Sequence, residues 1–225
     1  MEIIPAILPK NFKEIEEKVE SLIGISDIVQ IDICDGKFVP TITWPYWKAD
    51  VKPDEDFSAI LREEKGMPNW EKIDYELDLM IDNPTEEDAR KWLSTGAEKI
   101  VLHLESSDDL NPVMDVLQDL VEIGIAINST SDVEELRKYE NRIQFIQIMG
   151  IRKAGFQRER FEDGTYEQIK KVKNTFPDLK VQVDGGVNLE NAKKLKDMGI
   201  DAFVVGSAIF DSEDIGETYE AFRQI

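Results

Sequence analysis

The sequence is poor in the two side chains that most often carry metal sites and nucleophilic catalysis. Among its 225 residues there is one cysteine, Cys34, and one histidine, His103. A single cysteine excludes an internal disulfide and a cysteine-rich zinc module. A single histidine excludes a metal site with several histidine ligands, and it leaves any serine–histidine–aspartate triad dependent on His103.

Positive charge is also scarce in this chain. The sequence has 27 Lys and Arg residues against 47 Asp and Glu residues, which gives a formal net charge of −20. Such a surface repels phosphate backbones and anionic lipids, so we expect no nucleic-acid partner and no membrane partner. No apolar run approaches the roughly 18 residues of a membrane-spanning helix, and residues 1–5 lack the basic start of a signal peptide. We therefore expect a cytoplasmic protein.

The chain shows a regular alternation of short apolar runs with longer amphipathic stretches. With 41% hydrophobic and 33% charged residues it can bury a sizeable core. The apolar runs are rich in Ile and Val, which is typical of parallel strands that are covered on both faces. They predict eight strands, at residues 3–8, 28–33, 75–80, 99–104, 125–127, 143–148, 180–184 and 202–205.

The stretches between these runs have helical patterns. They predict helices at residues 11–22, 85–93, 108–123, 131–139, 165–176, 189–198 and 213–222. Four glycines, Gly24, Gly96, Gly124 and Gly199, lie just past a predicted helix and before a strand. A glycine at that position commonly ends a helix, so these four mark helix ends.

Eight strands that alternate with helices predict a (β/α)8 barrel, an α/β fold, with residues 1–225 forming one domain. A doubly wound open sheet is the alternative, but it normally has fewer strands, and no Gly-x-Gly-x-x-Gly follows a strand here. Residues 41–73 are too long for a plain connection and contain Trp44, Trp47 and Trp70. We interpret them as an elongated loop region that serves as a lid, as an interface or as a surface decoration.

Three acids lie near the ends of predicted strands, where barrel enzymes carry their active sites. They are Asp32 on the second strand, Asp78 on the third and Asp184 on the seventh, and strand alternation places Gln30 on the same face as Asp32. Several buried like charges repel each other unless a cation or a shared proton compensates them. The acids therefore predict a metal site or a proton-sharing site. The alternative is that one or two of them face outward or cap the next loop.

Glycines recur in the loops after the last three predicted strands. They are Gly155 after the sixth strand, Gly185 and Gly186 after the seventh, and Gly206, followed by Ser207, after the eighth. Exposed backbone N–H groups in such loops bind phosphate, and the first of these loops also carries three basic residues between positions 152 and 158. The loops therefore predict a phosphate site, with ordinary tight turns as the alternative.

Two further residue types bear on the reaction class. His103 ends the fourth predicted strand, where it either lines a pocket or is a hydrogen-bonded core residue. No lysine falls at an interior strand end, so a Schiff-base aldolase would lack its nucleophile.

Four motifs at predicted strand ends are distinctive in combination. They read Ile-Asp-Ile-Cys-Asp-Gly-Lys-Phe-Val-Pro at 31–40, Asp-Leu-Met at 78–80, Val-Asp-Gly-Gly-Val at 183–187 and Gly-Ser-Ala-Ile-Phe at 206–210. In these motifs the chain resembles the D-ribulose-5-phosphate 3-epimerase family, and the resemblance extends over residues 5–210.

The resemblance implies a (β/α)8 isomerase, usually a homo-oligomer, that epimerises C3 of a ketopentose phosphate. In the family one Asp removes the C3 proton and a second Asp returns a proton to the opposite face of an enediolate. Asp32 and Asp184 match these two catalytic acids. The resemblance further implies that a small phosphorylated sugar is bound by Gly155, Gly185, Gly186, Gly206, Ser207, Met80 and Met149.

The family also implies a divalent metal, held by two His and two Asp residues. In this sequence Gln30 and Asp78 stand at the two His positions, beside Asp32 and Asp184. Oxygen donors of this kind suit Mg²⁺ or Mn²⁺ better than Zn²⁺. The alternative is a site without a metal.

The sequence leaves three functions open. The first is a ribulose-phosphate 3-epimerase that uses Asp32 and Asp184. The second is an enzyme of the same fold that acts on a related sugar phosphate by enediolate chemistry. The third is a non-catalytic barrel that binds a phosphorylated ligand or a partner, and the tryptophan-bearing region 41–73 is its motivation.

Overall fold

Eight parallel strands form a closed barrel in the computed structural model of the chain, which describes residues 1–46 and 54–225. Each strand pairs with the next along the chain, and the eighth pairs with the first. The strands are β1 (Glu2–Ile7), β2 (Ile28–Cys34), β3 (Asp74–Met80), β4 (Lys99–His103), β5 (Glu122–Ile127), β6 (Phe145–Met149), β7 (Lys180–Asp184) and β8 (Ala202–Val205). The predicted (β/α)8 barrel is therefore confirmed.

Helices connect the strands and pack against the outside of the barrel. They are α1 (Phe12–Leu22), α2 (Glu55–Leu61), α3 (Glu86–Leu93), α4 (Asn111–Leu117), α5 (Gly164–Thr175), α6 (Leu189–Asp197), α7 (Ser207–Phe210) and α8 (Ile215–Arg223). Two 3₁₀ helices, Leu104–Ser106 and Val133–Lys138, complete the described structure. A search of its helices finds none with the length and apolarity needed to cross a membrane.

The first helix shows how the sequence pattern builds this arrangement. The side chain of Asn11 caps α1 by accepting a hydrogen bond from the backbone N–H of Glu14 at 2.9 Å. The apolar residues of α1 recur every three or four positions and form one buried face. That face packs into the same core cluster as Ile31 and Ile33, which point outward from β2.

Two helix predictions between β4 and β6 are wrong. The helix expected at 108–123 ends at Leu117, because the backbone from Glu122 onward pairs with β4 and β6 and so belongs to β5. The helix expected at 131–139 is the 3₁₀ helix Val133–Lys138, in which backbone N–H groups bond to the carbonyl three residues back.

The prediction that Gly124 ends a helix is also wrong. Gly124 lies inside β5 opposite Phe145, and the Phe145 ring fills the space that a Cβ on residue 124 would need. By contrast Gly24, Gly96 and Gly199 have φ angles of +81°, +76° and +83° just past a helix, as predicted.

The long connection between β2 and β3 is partly helical. Within residues 41–73 the side chain of Asp54 caps α2 and also accepts a hydrogen bond from the indole N–H of Trp44 at 3.1 Å. The ring of Trp44 is buried against Phe57, with ring centres 5.4 Å apart, whereas Trp70 is exposed. Part of this region, residues 47–53 with Trp47, lies outside the described residues.

Candidate active site

Polar side chains fill much of the barrel interior towards the carboxyl ends of its strands. Register places Gln30 beside Glu76 and Asp32 beside Asp78 on β2 and β3, and Gln147 beside Gln182 on β6 and β7. Since alternate residues of a strand face the same way, these side chains form layers inside the barrel. The inward polar residues are all buried, and they are Gln30, Asp32, Glu76, Asp78, His103, Gln147, Gln182 and Asp184.

Three of these residues form a compact acidic cluster. Carboxylate oxygens of Asp32, Asp78 and Asp184 all lie within 4.8 Å of one another. Asp78 is fully buried, and Asp32 and Asp184 are each 8% exposed. The three acids therefore face one another inside the barrel, and none of them faces outward.

Burial and neighbouring carboxylates act together on two of the acids. Removal from water raises the pKa of Asp32 well above its usual range, and the negative charges of Asp184 and Asp78 raise it further. Burial and the charge of Asp78 raise the pKa of Asp184 to about 7, although a hydrogen bond from Gln30 opposes this shift. Near neutral pH the pair can therefore hold one proton between them, as acid–base catalysis requires.

Hydrogen-bond donors surround the cluster. Gln30 Nε2 donates to Asp32 Oδ1 at 2.8 Å and to Asp184 Oδ2 at 3.3 Å, so one amide bridges both acids. His103 Nε2 lies 2.8 Å from Asp78 Oδ1. Burial lowers the pKa of His103, but the charge and hydrogen bond of Asp78 outweigh burial and leave that pKa raised. His103 is thus a buried, hydrogen-bonded residue behind the acids.

A small cavity of about 50 Å³ lies on the loop side of the acidic cluster. All nine residues predicted as catalytic or substrate-contacting line it, and they are Asp32, Met80, Met149, Gly155, Gly185, Gly186, Gly206, Ser207 and Asp184. Gln30 and Asp78 lie directly beneath the cavity. Gln30 Nε2 donates a hydrogen bond to Asp184, and Asp78 accepts one from Gln147. The structure therefore brings every predicted site residue to one place.

Glycines at the mouth of this cavity let the β6–α5 loop lie close to two neighbouring loops. Gly186 has a φ of +69°, and a Cβ there would lie 2.7 Å from the backbone nitrogen of Phe161. A Cβ on Gly155, where φ is +77°, would lie 2.8 Å from Val39 Cγ2. Any larger residue at either position would push the β6–α5 loop away from its neighbours.

The donor set fits a hard divalent cation. Three carboxylates converge, and Gln30 adds a buried Oε1 that finds no hydrogen-bond partner in the described parts of the chain. A half-turn of the Gln30 amide would aim this oxygen at Asp32 and Asp184. Oxygen ligands of this kind are those that Mg²⁺ and Mn²⁺ prefer, so the three buried aspartates could hold a divalent metal.

Two buried glutamines of the site were missed from the sequence. Gln147 and Gln182 each lie two positions before a predicted site residue, so strand alternation could have placed them inside the barrel. Arg158, one of the three basic residues noted in the loop after the sixth strand, also lines the cavity, where its guanidinium is held by both carboxylate oxygens of Asp211, at 2.8 and 2.9 Å. That contact depends on the path of an irregular loop, for which the sequence carries no comparable signal.

A closed parallel barrel, with buried acids at the carboxyl ends of its strands and glycine-bearing loops above them, defines a TIM-barrel protein with an enzyme-like site. The chain belongs to the ribulose-phosphate 3 epimerase family, whose model matches residues 2–210. This family places the protein among the isomerases, in the racemase and epimerase class.

Individual relatives agree with this assignment. The chain is 27% identical over 222 residues to a ribulose-phosphate 3-epimerase of Aquifex aeolicus (strain VF5), covering 95% of this chain and 91% of the relative. It is 25% identical over 227 residues to the enzyme of the same name from Escherichia coli (strain K12), covering 98% and 94%. Among solved structures, 3-hexulose-6-phosphate synthase from Salmonella typhimurium shares the fold, with a TM-score of 0.72, 13% identity and coverage of 100% and 97%.

Proposed function

We propose that the protein is a ribulose-phosphate 3-epimerase in which Asp32 and Asp184 are the two acid–base catalysts. The observation that carries this proposal is the position of the two carboxylates, which come from different strands, line the same cavity and share the Gln30 amide. A substrate C3 between them would be open to one carboxylate on each face.

The reaction then needs one ionised and one protonated acid. The ionised carboxylate takes the C3 proton, and the electron pair left behind is delocalised into the neighbouring carbonyl to give an enediolate. The protonated acid gives its proton to C3 from the opposite face, which inverts the configuration. The raised pKa values of Asp32 and Asp184 support this division, because they allow one of the two to stay protonated near neutral pH.

A divalent cation would be held by Gln30, Asp32, Asp78 and Asp184. When bound, it supplies positive charge that stabilises the negative oxygens of the enediolate. Mg²⁺ or Mn²⁺ suits these oxygen donors better than Zn²⁺, and the alternative is a reaction without a metal. In the reaction without a metal Gln30 orients the catalytic carboxylates, because its Nε2 donates to both.

The substrate phosphate would bind the glycine loops. Backbone N–H groups near Gly155, Gly185–Gly186 and Gly206–Ser207 surround the cavity, while Met80 and Met149 provide apolar walls. A volume of about 50 Å³ is far below the roughly 300–1,000 Å³ of typical ligand pockets, so we expect the loops that line the cavity to open when a sugar phosphate binds. A single domain, a homo-oligomer and a cytoplasmic location stay predictions.

The test is isotope exchange with ribulose 5-phosphate in deuterated water, with and without Mn²⁺, followed by NMR at C3. We expect deuterium at C3 with the wild-type protein and none with Asp184→Asn. The exposed Asp108 provides a matched control, since Asp108→Asn makes the same chemical change away from the cavity and should leave exchange intact. Ligand binding without exchange would support a non-catalytic barrel, and exchange confined to another sugar phosphate would support a related isomerase.

A further inference from the structure

Two buried amides point their NH₂ groups at the acidic cluster, but they are held differently. Gln30 Nε2 bonds to Asp32 and Asp184, whereas Gln30 Oε1 finds no partner in the described structure. Rotation of the Gln30 amide would therefore break no hydrogen bond at its oxygen. Gln30 can offer the acids either its nitrogen or its oxygen.

Gln147 has no such freedom, because both ends of its amide are engaged. Its Nε2 donates to Asp78 Oδ2 at 2.9 Å and lies 3.4 Å from Asp184 Oδ2 and 3.6 Å from Met149 Sδ. Its Oε1 accepts a hydrogen bond from Gln182 Nε2 at 2.7 Å. A half-turn would set the Gln147 oxygen against the Asp78 carboxylate and its NH₂ group against the NH₂ group of Gln182.

The orientation of Gln182 is fixed in turn by Glu76. Gln182 Nε2 donates its second hydrogen to Glu76 Oε1 at 2.8 Å, so both hydrogens of this amide are used. Glu76, Gln147 and Asp78 are fully buried and Gln182 is 4% exposed, so water has little access to compete for these bonds. The bonds form one chain between Glu76 and Asp78, in which Gln182 Nε2 donates towards both ends and Gln147 Nε2 donates to Asp78.

We infer that Gln147 is a positioning residue, a fixed hydrogen-bond donor between Asp78 and Asp184 that supplies part of the charge compensation otherwise left to a cation. The inference deepens the proposed function, on which it rests for the role of Asp184. It assigns different tasks to the two amides, because Gln147 always donates whereas Gln30 is able to become a ligand. The chain of Gln182 and Glu76 acts through Gln147 and touches no substrate.

The test is titration of the full-length protein with Mn²⁺, followed by calorimetry. Gln147→Met removes the donor while it keeps the side-chain length, and the acids then depend more strongly on a cation. We expect Mn²⁺ affinity to rise about tenfold relative to wild type, which is the order of magnitude that one hydrogen bond to a charged group contributes. A merely structural role would loosen the site and lower the affinity. Unchanged or weaker affinity, or no Mn²⁺ binding by either protein, would overturn the inference.

Further variants keep the test decisive if Gln147→Met fails to fold. Gln182→Met leaves Gln147 in place but free to turn, so a smaller rise in Mn²⁺ affinity is expected. The double variant should bind Mn²⁺ no more tightly than Gln147→Met, because both changes act through one amide. Additive effects of the two substitutions on Mn²⁺ affinity, or weaker Mn²⁺ binding by Gln182→Met, would contradict the inferred chain of hydrogen bonds.

A matched control comes from another buried glutamine. Gln168 Nε2 donates to the carbonyl oxygens of Asn128 and Ser131, outside the acidic cluster, so Gln168→Met should lower Tm without changing Mn²⁺ affinity. Wild-type turnover of ribulose 5-phosphate is measured separately. Absent turnover together with the expected rise in Mn²⁺ affinity would contradict the proposed function and leave the positioning role of Gln147 in place.

Discussion

The two faces of the same barrel strands are equally buried but are stabilised in different ways. On β2 all seven residues are buried, yet Ile31 and Ile33 face the helices while Gln30 and Asp32 face the barrel interior. The outward side chains need only apolar neighbours of the right volume. The inward side chains need a donor, a proton or a cation for each charge. The apolar outer face therefore stabilises the fold, whereas the buried polar groups of the inner face lower its stability and serve the chemistry of the site.

The roles of the two faces are distinguished most clearly by a substitution of an inward acid. Asp32→Asn should reduce epimerisation about 10³-fold, because it removes one of the two proposed acid–base groups. Its free energy of unfolding should stay equal to that of wild type or rise, since one buried like charge is lost. Turnover assays and urea unfolding measure the two quantities. Ile33→Val, on the outward face of the same strand, is the control and should keep its turnover.

A change to an outward residue should have the opposite profile. Leu77 on β3 is fully buried against the helices, so Leu77→Ala should lower the free energy of unfolding by about 3 kcal/mol. The folded variant should keep kcat/KM within about threefold of wild type, because the cavity left behind lies outside the barrel interior. Loss of turnover with little loss of stability would contradict the division between the faces.

Glu76, an inward acid on the same strand, should have a smaller effect that depends on pH. Burial raises the pKa of Glu76 from 4.5 to about 8, so the folded protein binds this proton more tightly than the unfolded chain does. The stability that this proton contributes is complete below pH 4.5 and is lost as pH rises towards 8.

Glu76→Gln carries no proton to lose. The free energy of unfolding of Glu76→Gln should rise by about 2 kcal/mol relative to that of wild type between pH 6.5 and pH 9. Urea unfolding at both pH values measures this difference. A constant difference between the two proteins would show that Glu76 stays ionised or stays protonated over the whole range.

The sequence predicts the barrel well because strand signals are local. The bounds of β7 and β8 match the predicted residues, since both are short segments with two valines each between clear turn residues. The prediction of a helix at 108–123 was wrong because the amphipathic pattern continues into residues that pair with two neighbouring strands. Pairing between distant segments decided that boundary, and no single-segment pattern reports it.

The site could be predicted in part for the same reason. Asp32, Asp184 and the glycine loops follow predicted strands, so barrel geometry alone gathers them. The hydrogen bonds from Gln147 and Gln182 could not be predicted, because strand alternation gives the face on which a glutamine lies but not its partner. Their role depends on which acid each amide faces, and that depends on the register of β3, β6 and β7.

The central claim is that Asp32 and Asp184 act on opposite faces of one carbon. The most direct measurement is the position of the label after wild-type protein has converted a small fraction of ribulose 5-phosphate in deuterated water. The account predicts that the C3 epimer carries deuterium at C3 while the recovered substrate carries little, because different acids remove and deliver the proton. A C3 epimer that retains the original proton would mean that one group does both, and it would contradict the account.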